Sequence, residues 1–150
     1  MRQQTVAEIM TQEVISCVES DSLKLVNGLM TQHNIRHLPV IDSKDARFLG
    51  LLSQKHVLRE AFYLAKSSGQ VDLSTFGSRV RVAEVYSSGI VTASPDTSLE
   101  EAGRFFLNSK HGCLPVLDNG KLVGMVTSVD FVRLCVDLLH ERSTQTPADS

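Results

Sequence analysis

Leu38-Pro39-Val40-Ile41-Asp42 and Leu114-Pro115-Val116-Leu117-Asp118 are one pentapeptide pattern written twice, 76 positions apart, with four of five residues identical. Internal repetition at a fixed offset decides the architecture of a chain before any single element does. Extending the same offset toward the N-terminus lays Thr5-Val6-Ala7-Glu8-Ile9-Met10 over Arg81-Val82-Ala83-Glu84-Val85-Tyr86. It also lays Val14-Ile15-Ser16-Cys17 over Ile90-Val91-Thr92-Ala93, and Ser22-Leu23 over Ser98-Leu99. Nine of the 38 aligned positions are identical, where composition alone gives about two or three. Past Asp42 the first copy carries two extra residues, after which Gly50-Leu51-Leu52-Ser53 lies over Gly124-Met125-Val126-Thr127. An insertion at that point marks a hairpin turn, and Asn119-Gly120 supplies the positive φ that a tight hairpin requires.

Each copy therefore reads as β-α-β-β-α: a short strand (14–17 and 90–93), a helix, a hairpin and a closing helix. In the second copy the first helix opens at Asp96-Thr97-Ser98-Leu99-Glu100-Glu101, where Thr97 with Glu100 or Ser98 with Glu101 forms a capping box. Its expected buried face is Leu99, Ala102, Phe106 and Leu107. The matching helix of the first copy buries Leu23, Val26, Leu29 and Met30 and is weakened at Gly28 by up to ~1 kcal/mol relative to Ala. The closing helices span 54–66 and 128–142. Their apolar sides are Val57, Leu58, Ala61 and Leu64 in one, and Val129, Val132, Leu134, Val136 and Leu139 in the other. The domain reading is repeat 1 at 5–66, a linker at 67–80, repeat 2 at 81–142 and a frayed polar tail at 143–150. A unit this small leaves an apolar sheet face uncovered, so the two copies are expected to pack sheet to sheet as one pseudo-twofold α+β module.

The bulk numbers exclude several classes. Of 150 residues, 42% are apolar and 21% charged, and the net charge is −2, values of an ordinary globular chain without broad attraction for nucleic acid or anionic lipid. Cys17, Cys113 and Cys135 are an odd, widely spaced set with neither a disulfide framework nor a paired zinc pattern. MRQQTVAEIM lacks the apolar run of a signal peptide, and no stretch approaches the ~20 apolar residues of a spanning helix. A cytoplasmic protein with no membrane, nucleic-acid or metal partner is expected. The histidines at 33, 37, 56, 111 and 140 form no HExxH, and no Gly-rich phosphate loop is present, so a catalytic cluster is missing. Cys113 near His111 has no orienting acid and reads as a chance pair.

These residues resemble the CBS domain family, in the tandem arrangement often called a Bateman module. The resemblance covers residues 6–139 and rests on the two Leu-Pro-Val-hydrophobic-Asp strands, each followed by Gly, two hydrophobics and a Ser or Thr. It implies a non-enzymatic regulatory module that binds an adenosine-type ligand (AMP, ADP, ATP or S-adenosylmethionine) in a cleft between the repeats and needs no cofactor. The family's mark of a working site is Ser or Thr followed three residues later by an Asp for the ribose hydroxyls. Thr127-Ser128-Val129-Asp130 has it; Ser53-Gln54-Lys55-His56 does not. Carried over, the resemblance sets Thr127 and Asp130 against Val14, Ile15, Ser16, Ile35, Arg36, His37 and Pro39. The adenine would lie among Val14, Ile15 and Pro39, and the phosphate at Arg36 and His37.

A weaker second site would combine Ile90, Val91, Thr92, Gly112, Cys113 and Pro115 with Ser53, Lys55, His56 and His111. Chemistry supports the first site independently, since a carboxylate accepts two charge-assisted bonds from a vicinal diol. Thr127 with Asp130 is equally a helix cap worth ~1 kcal/mol without ligand. The resemblance also implies a homodimer, through Leu134, Val136, Leu138, Phe62 and Leu64, with a partner protein as a further possibility. The competing function is a ligand-free dimerisation module with vestigial sites.

Overall fold

A computed structural model describes residues 4–68 and 79–145. The chain is α+β: the described residues form two two-stranded sheets and four long helices, with a short 3-10 turn near the start of each copy. The elements are α1 (Leu23–His33), β1 (His37–Ile41), β2 (Phe48–Ser53), α2 (Gln54–Ser68), α3 (Leu99–Asn108), β3 (Cys113–Asp118), β4 (Lys121–Thr127) and α4 (Ser128–Gln145). They group into two units that do not coincide with the two sequence copies. The first unit takes in Ile15–Val91 and Asn119–Leu122; the second takes in the N-terminal segment to Val14, Thr92–Asp118 and the segment from Val123 onward.

In the first unit α1 begins where the Ser22 hydroxyl accepts the Leu25 amide at 3.2 Å, and it stops where Asn34 turns left-handed at φ 53. Asn tolerates that conformation better than most side chains, which is why it ends helices. β1 pairs antiparallel with β2, Leu38 opposite Leu52 and Val40 opposite Gly50, with an irregularity before Ile41. The core joins Leu23, Val26, Met30, Leu38, Val40, Leu52 and Val57 to Val82 and Val85. Those last two belong to the second copy. They are carried in by the 3-10 turn Val82–Glu84, whose Val82 amide donates to Asp21 at 2.9 Å. The second unit mirrors this: Val6, from the turn Val6–Glu8, is buried among Leu99, Ala102, Leu114, Val116 and Val126, and its amide donates to Thr97 at 2.8 Å. Each buried valine contributes on the order of 1.5–3 kcal/mol. The copies have thus exchanged their opening turns.

α3 starts at Ser98, whose hydroxyl accepts the Glu101 amide at 3.1 Å, and the β3–β4 turn holds Asn119 and Gly120 at φ 54 and 80. Both agree with the sequence.

Four expectations need correction. The strands expected at 14–17 and 90–93 reduce to single parallel bridges, Cys17 with Val40 and Ala93 with Val116. Each bridge has two bonds, such as Cys17 N to Pro39 O at 3.0 Å and Ile41 N to Cys17 O at 2.9 Å. The next rung toward the N-terminus would need an amide donated by residue 39 or 115, and both are proline, so the ladder stops. Leu107 is 85% exposed rather than buried. The room beside Gly103 is filled by Phe131, whose ring lies 3.3 Å from a Cβ placed there and meets Phe106 edge-on at 5.6 Å. Leu58 is 55% exposed, and on α4 Val129, Val132, Val136 and Leu139 all stand 58% or more exposed; the inward contacts of that helix are Phe131 and Leu134. An apolar stripe shows which side of a helix avoids water but not what covers it. Lastly, α2 and α4 run past 66 and 142, the latter with the Thr144 hydroxyl donating to the Glu141 carbonyl at 2.9 Å. The rest of the expected linker (69–78), the end of the tail (146–150) and the Leu64 side chain lie outside the described residues.

Candidate functional site

The predicted residues divide between the two units. In the second unit the end of β4 is buried at Gly124, Met125 and Val126, which fixes where Thr127 hands over to α4. Asp130, in the first turn of α4, is the buried charged residue of the described chain. Its Oδ2 accepts the Thr127 amide at 2.8 Å and lies 3.4 Å from the Thr127 hydroxyl. Its Oδ1 takes a longer contact, 3.5 Å, from Arg133 Nη1. The carboxylate at a helix N-terminus is also favoured by the partial positive charge there. One oxygen is thus committed to the backbone, and the other faces a guanidinium whose side chain is 69% exposed.

Thr11 exchanges two hydrogen bonds with Met125, at 2.9 and 3.0 Å, which brings the segment leading to half-buried Val14 to the same strand end. Gly112 accepts the Ser128 amide at 3.3 Å, and Pro115 accepts that of Ala93 at 2.8 Å. Cys113 is buried with its Sγ 3.3 Å from Met125 Sδ, and burial pushes its thiol up to about 12. A thiol so held is protonated at neutral pH and is a poor nucleophile. His111 and Thr92 are exposed, the His111 amide donating to Ser109 Oγ at 3.1 Å.

The first unit holds Ile15, Ser16, Ile35 and His37, all half-buried, with exposed Arg36 and buried Pro39. Arg36 is held by its backbone, its carbonyl accepting the Gln54 amide at 2.8 Å at the start of α2. His37 opens β1 opposite Ser53. The Ser53 hydroxyl accepts the His56 amide at 3.1 Å, so His56 is tied into the first turn of α2, with exposed Lys55 beside it. Leu51 and Ser87 exchange a pair of bonds at 2.9 and 3.0 Å, the counterpart of Thr11 with Met125, leading the chain to Ile90 and Val91.

Arg133 was missed by the sequence reading. Its spacing, three residues after Asp130 on a helix, is the signal that finds it. Among the described residues no three His, Cys, Asp or Glu side chains cluster to hold a metal, and no helix is long and apolar enough to cross a membrane.

A chain that repeats a helix, a β-hairpin and a closing helix, with Ser or Thr ending each hairpin, is the class of protein defined so far. The profile of the CBS domain family matches residues 6–63 and again 82–137. The chain belongs to the CBS domain family, as a tandem pair. A crystal structure of a putative acetoin utilization protein, AcuB, from Vibrio cholerae is similar with a TM-score of 0.79 and 27% identity, covering 97% of this chain and 100% of that one. The structure of CBSX2 from Arabidopsis thaliana in complex with AMP matches with a TM-score of 0.75 and 28% identity, covering 90% and 98%. Among curated proteins, MJ1404 of Methanocaldococcus jannaschii is 27% identical over 143 residues, 92% of this chain. The chain spans 33% of that relative's length and 24% of the two that follow it.

Proposed function

We propose that this chain is a non-catalytic regulatory module that binds an adenosine nucleotide through Asp130 and Thr127 and signals occupancy by a conformational or oligomeric change. The observation that carries the reading is the carboxylate of Asp130: buried, fixed by the Thr127 amide and, among the described residues, with Oδ1 held only by a long contact to an exposed side chain. Burying a charge is costly unless its partners are in place, and a ribose diol supplies two donors to such an acceptor. The AMP bound to CBSX2, a relative over 90% of the chain, supports the ligand class. The same reading gives the adenine to Val14, Ile15 and Pro39, with Ser16 and Ile35 beside it, and the phosphate to Arg36 and His37. The residues grouped with Ser53 and His56 hold nucleotide weakly or not at all. To act as a switch, a 100-fold preference for one arrangement supplies ~2.7 kcal/mol, which suffices for regulation.

Calorimetric titration of the chain with AMP, ADP, ATP and S-adenosylmethionine tests this. Heat and a raised melting temperature with at least one ligand, both lost in Asp130→Ala, are expected. Silence with all four leaves the interaction-module reading. That second reading has its own support in Val129, Val132, Val136 and Leu139, which stand exposed at alternating three- and four-residue spacing on α4, the pattern of a helix seam. In it α4 seats a second copy of the chain, with Phe62 and Leu138, also exposed, as neighbours. Light scattering of Val136→Glu is expected to show half the mass of the unsubstituted protein; unchanged mass removes the seam from the interface.

A further inference from the structure

Asp130 poses a problem for any nucleotide it grips. The acceptor that suits ribose hydroxyls is an anion, and the phosphate of a nucleotide is carried on that same sugar, a few ångströms away and well inside a Debye length. A bare carboxylate would select neutral nucleosides. Here it is not bare. Arg133, one turn on, places Nη1 3.5 Å from Asp130 Oδ1, and the two side chains differ sharply in setting, 69% exposed for Arg133 against 9% for Asp130. The acid is fixed by the Thr127 amide, whereas among the described residues the guanidinium is tethered only by this one long contact, leaving four further N–H donors to offer.

We propose, resting on the nucleotide-binding reading above, that Arg133 adds to this site's preference for phosphorylated over neutral adenosine ligands, beyond the phosphate contacts that reading gives to Arg36 and His37. Its positive charge cancels the repulsion between Asp130 and the ligand's phosphate, and its free N–H groups face the anion while Asp130 keeps the sugar. Arg133 acts on affinity through charge and position, so a change that removes charge separates two ligands that share adenine and ribose. With 69% of its side chain exposed, Arg133 is a position where substitution leaves the core intact.

The test is calorimetry of AMP and of adenosine with the unsubstituted chain, Arg133→Met and Arg133→Lys, at low and at high salt, with melting curves to establish folding. Arg133→Met is expected to weaken AMP about tenfold while leaving adenosine unchanged or slightly tighter. Arg133→Lys is expected to retain most of the AMP affinity, and the loss in Arg133→Met is expected to shrink as salt rises. AMP and adenosine falling together, or neither moving, overturns the assignment of Arg133 and leaves the nucleotide reading intact. An unsubstituted chain that binds neither compound overturns this inference, and one silent also with ADP, ATP and S-adenosylmethionine, or an Asp130→Ala chain that binds AMP and adenosine as before, overturns the nucleotide reading itself.

Discussion

The junctions of β2 with α2 and of β4 with α4 share a backbone plan, Gly, two hydrophobics and a hydroxyl residue running into a helix, yet their first-turn hydrogen bonds run in opposite directions. At the first, the Ser53 hydroxyl accepts the His56 amide. At the second, the Thr127 amide donates to the Asp130 carboxylate. One cap is complete in itself and neutral. The other leaves a fixed anion with an acceptor edge to spare at the positive end of a helix. Duplication kept the frame and let one residue, 56 against 130, decide whether the junction can do more than start a helix.

The glycines four residues before each helix give the largest expected effect. A Cβ at Gly50 would collide with the Ser87 carbonyl and the Tyr86 ring, and one at Gly124 with the flexible Met10 side chain, the Thr11 carbonyl standing at 3.2 Å. Urea unfolding should therefore show Gly50→Ala destabilised by about 3 kcal/mol or more and Gly124→Ala by about half as much. Equal losses would mean that the backbone at Ser87 yields as readily as a methionine does.

Next comes ligand binding. Removing two charge-assisted bonds with Asp130→Ala should weaken nucleotide about 100-fold by calorimetry, while His56→Asp should raise the stoichiometry from one nucleotide to two. A variant His56→Asp that caps its helix but binds no second nucleotide would show that the junction alone does not make a site. Smaller still is Ser53→Ala, expected to cost about 1 kcal/mol through the lost cap, read as a shifted melting temperature.

The smallest effect concerns the thiols. Burial raises Cys17 and Cys113 to about 12, the Asp21 carboxylate adding to the effect at Cys17. A raised thiol stabilises the fold fully below the unfolded value near 9 and loses that contribution as pH climbs from there toward 12. A thiol reagent at pH 8 should label exposed Cys135 alone and reach the two buried cysteines only on unfolding; fast labelling of Cys113 would contradict its burial.

Much of this was legible in the chain. The doubled Leu-Pro-Val strand, the Asn119-Gly120 turn, the Ser98 cap and the Thr127–Asp130 pair are local, and local chemistry is what spacing records. The exchange of Val6 and Val82 between cores was not legible, because apolar character says that a valine is buried without saying in which copy. Pro39 and Pro115 carried the reason for the missing third strand in plain view, but it takes the parallel register to see which amide they withhold. The outward face of α4 escaped for the same reason as the exchanged valines: periodicity has no knowledge of a neighbour. For the ligand, the sequence displays the acid and a cation one turn away, and binding measurements carry the rest.

The exchanged opening turns have a consequence for how the gene can be cut. A fragment ending ahead of residue 80 would lack Val82 and Val85, and one beginning there would lack Val6, so each half made alone would fold around a hole where its sibling's residues belong. Expressed together the halves can fill each other's gaps, and a permuted gene opening at Ile15 would bring the pieces of the second unit into one stretch broken only at 119–122, as the first unit already nearly is. The natural order of the chain instead makes each half the guarantor of the other, so that the two copies stand or fall together.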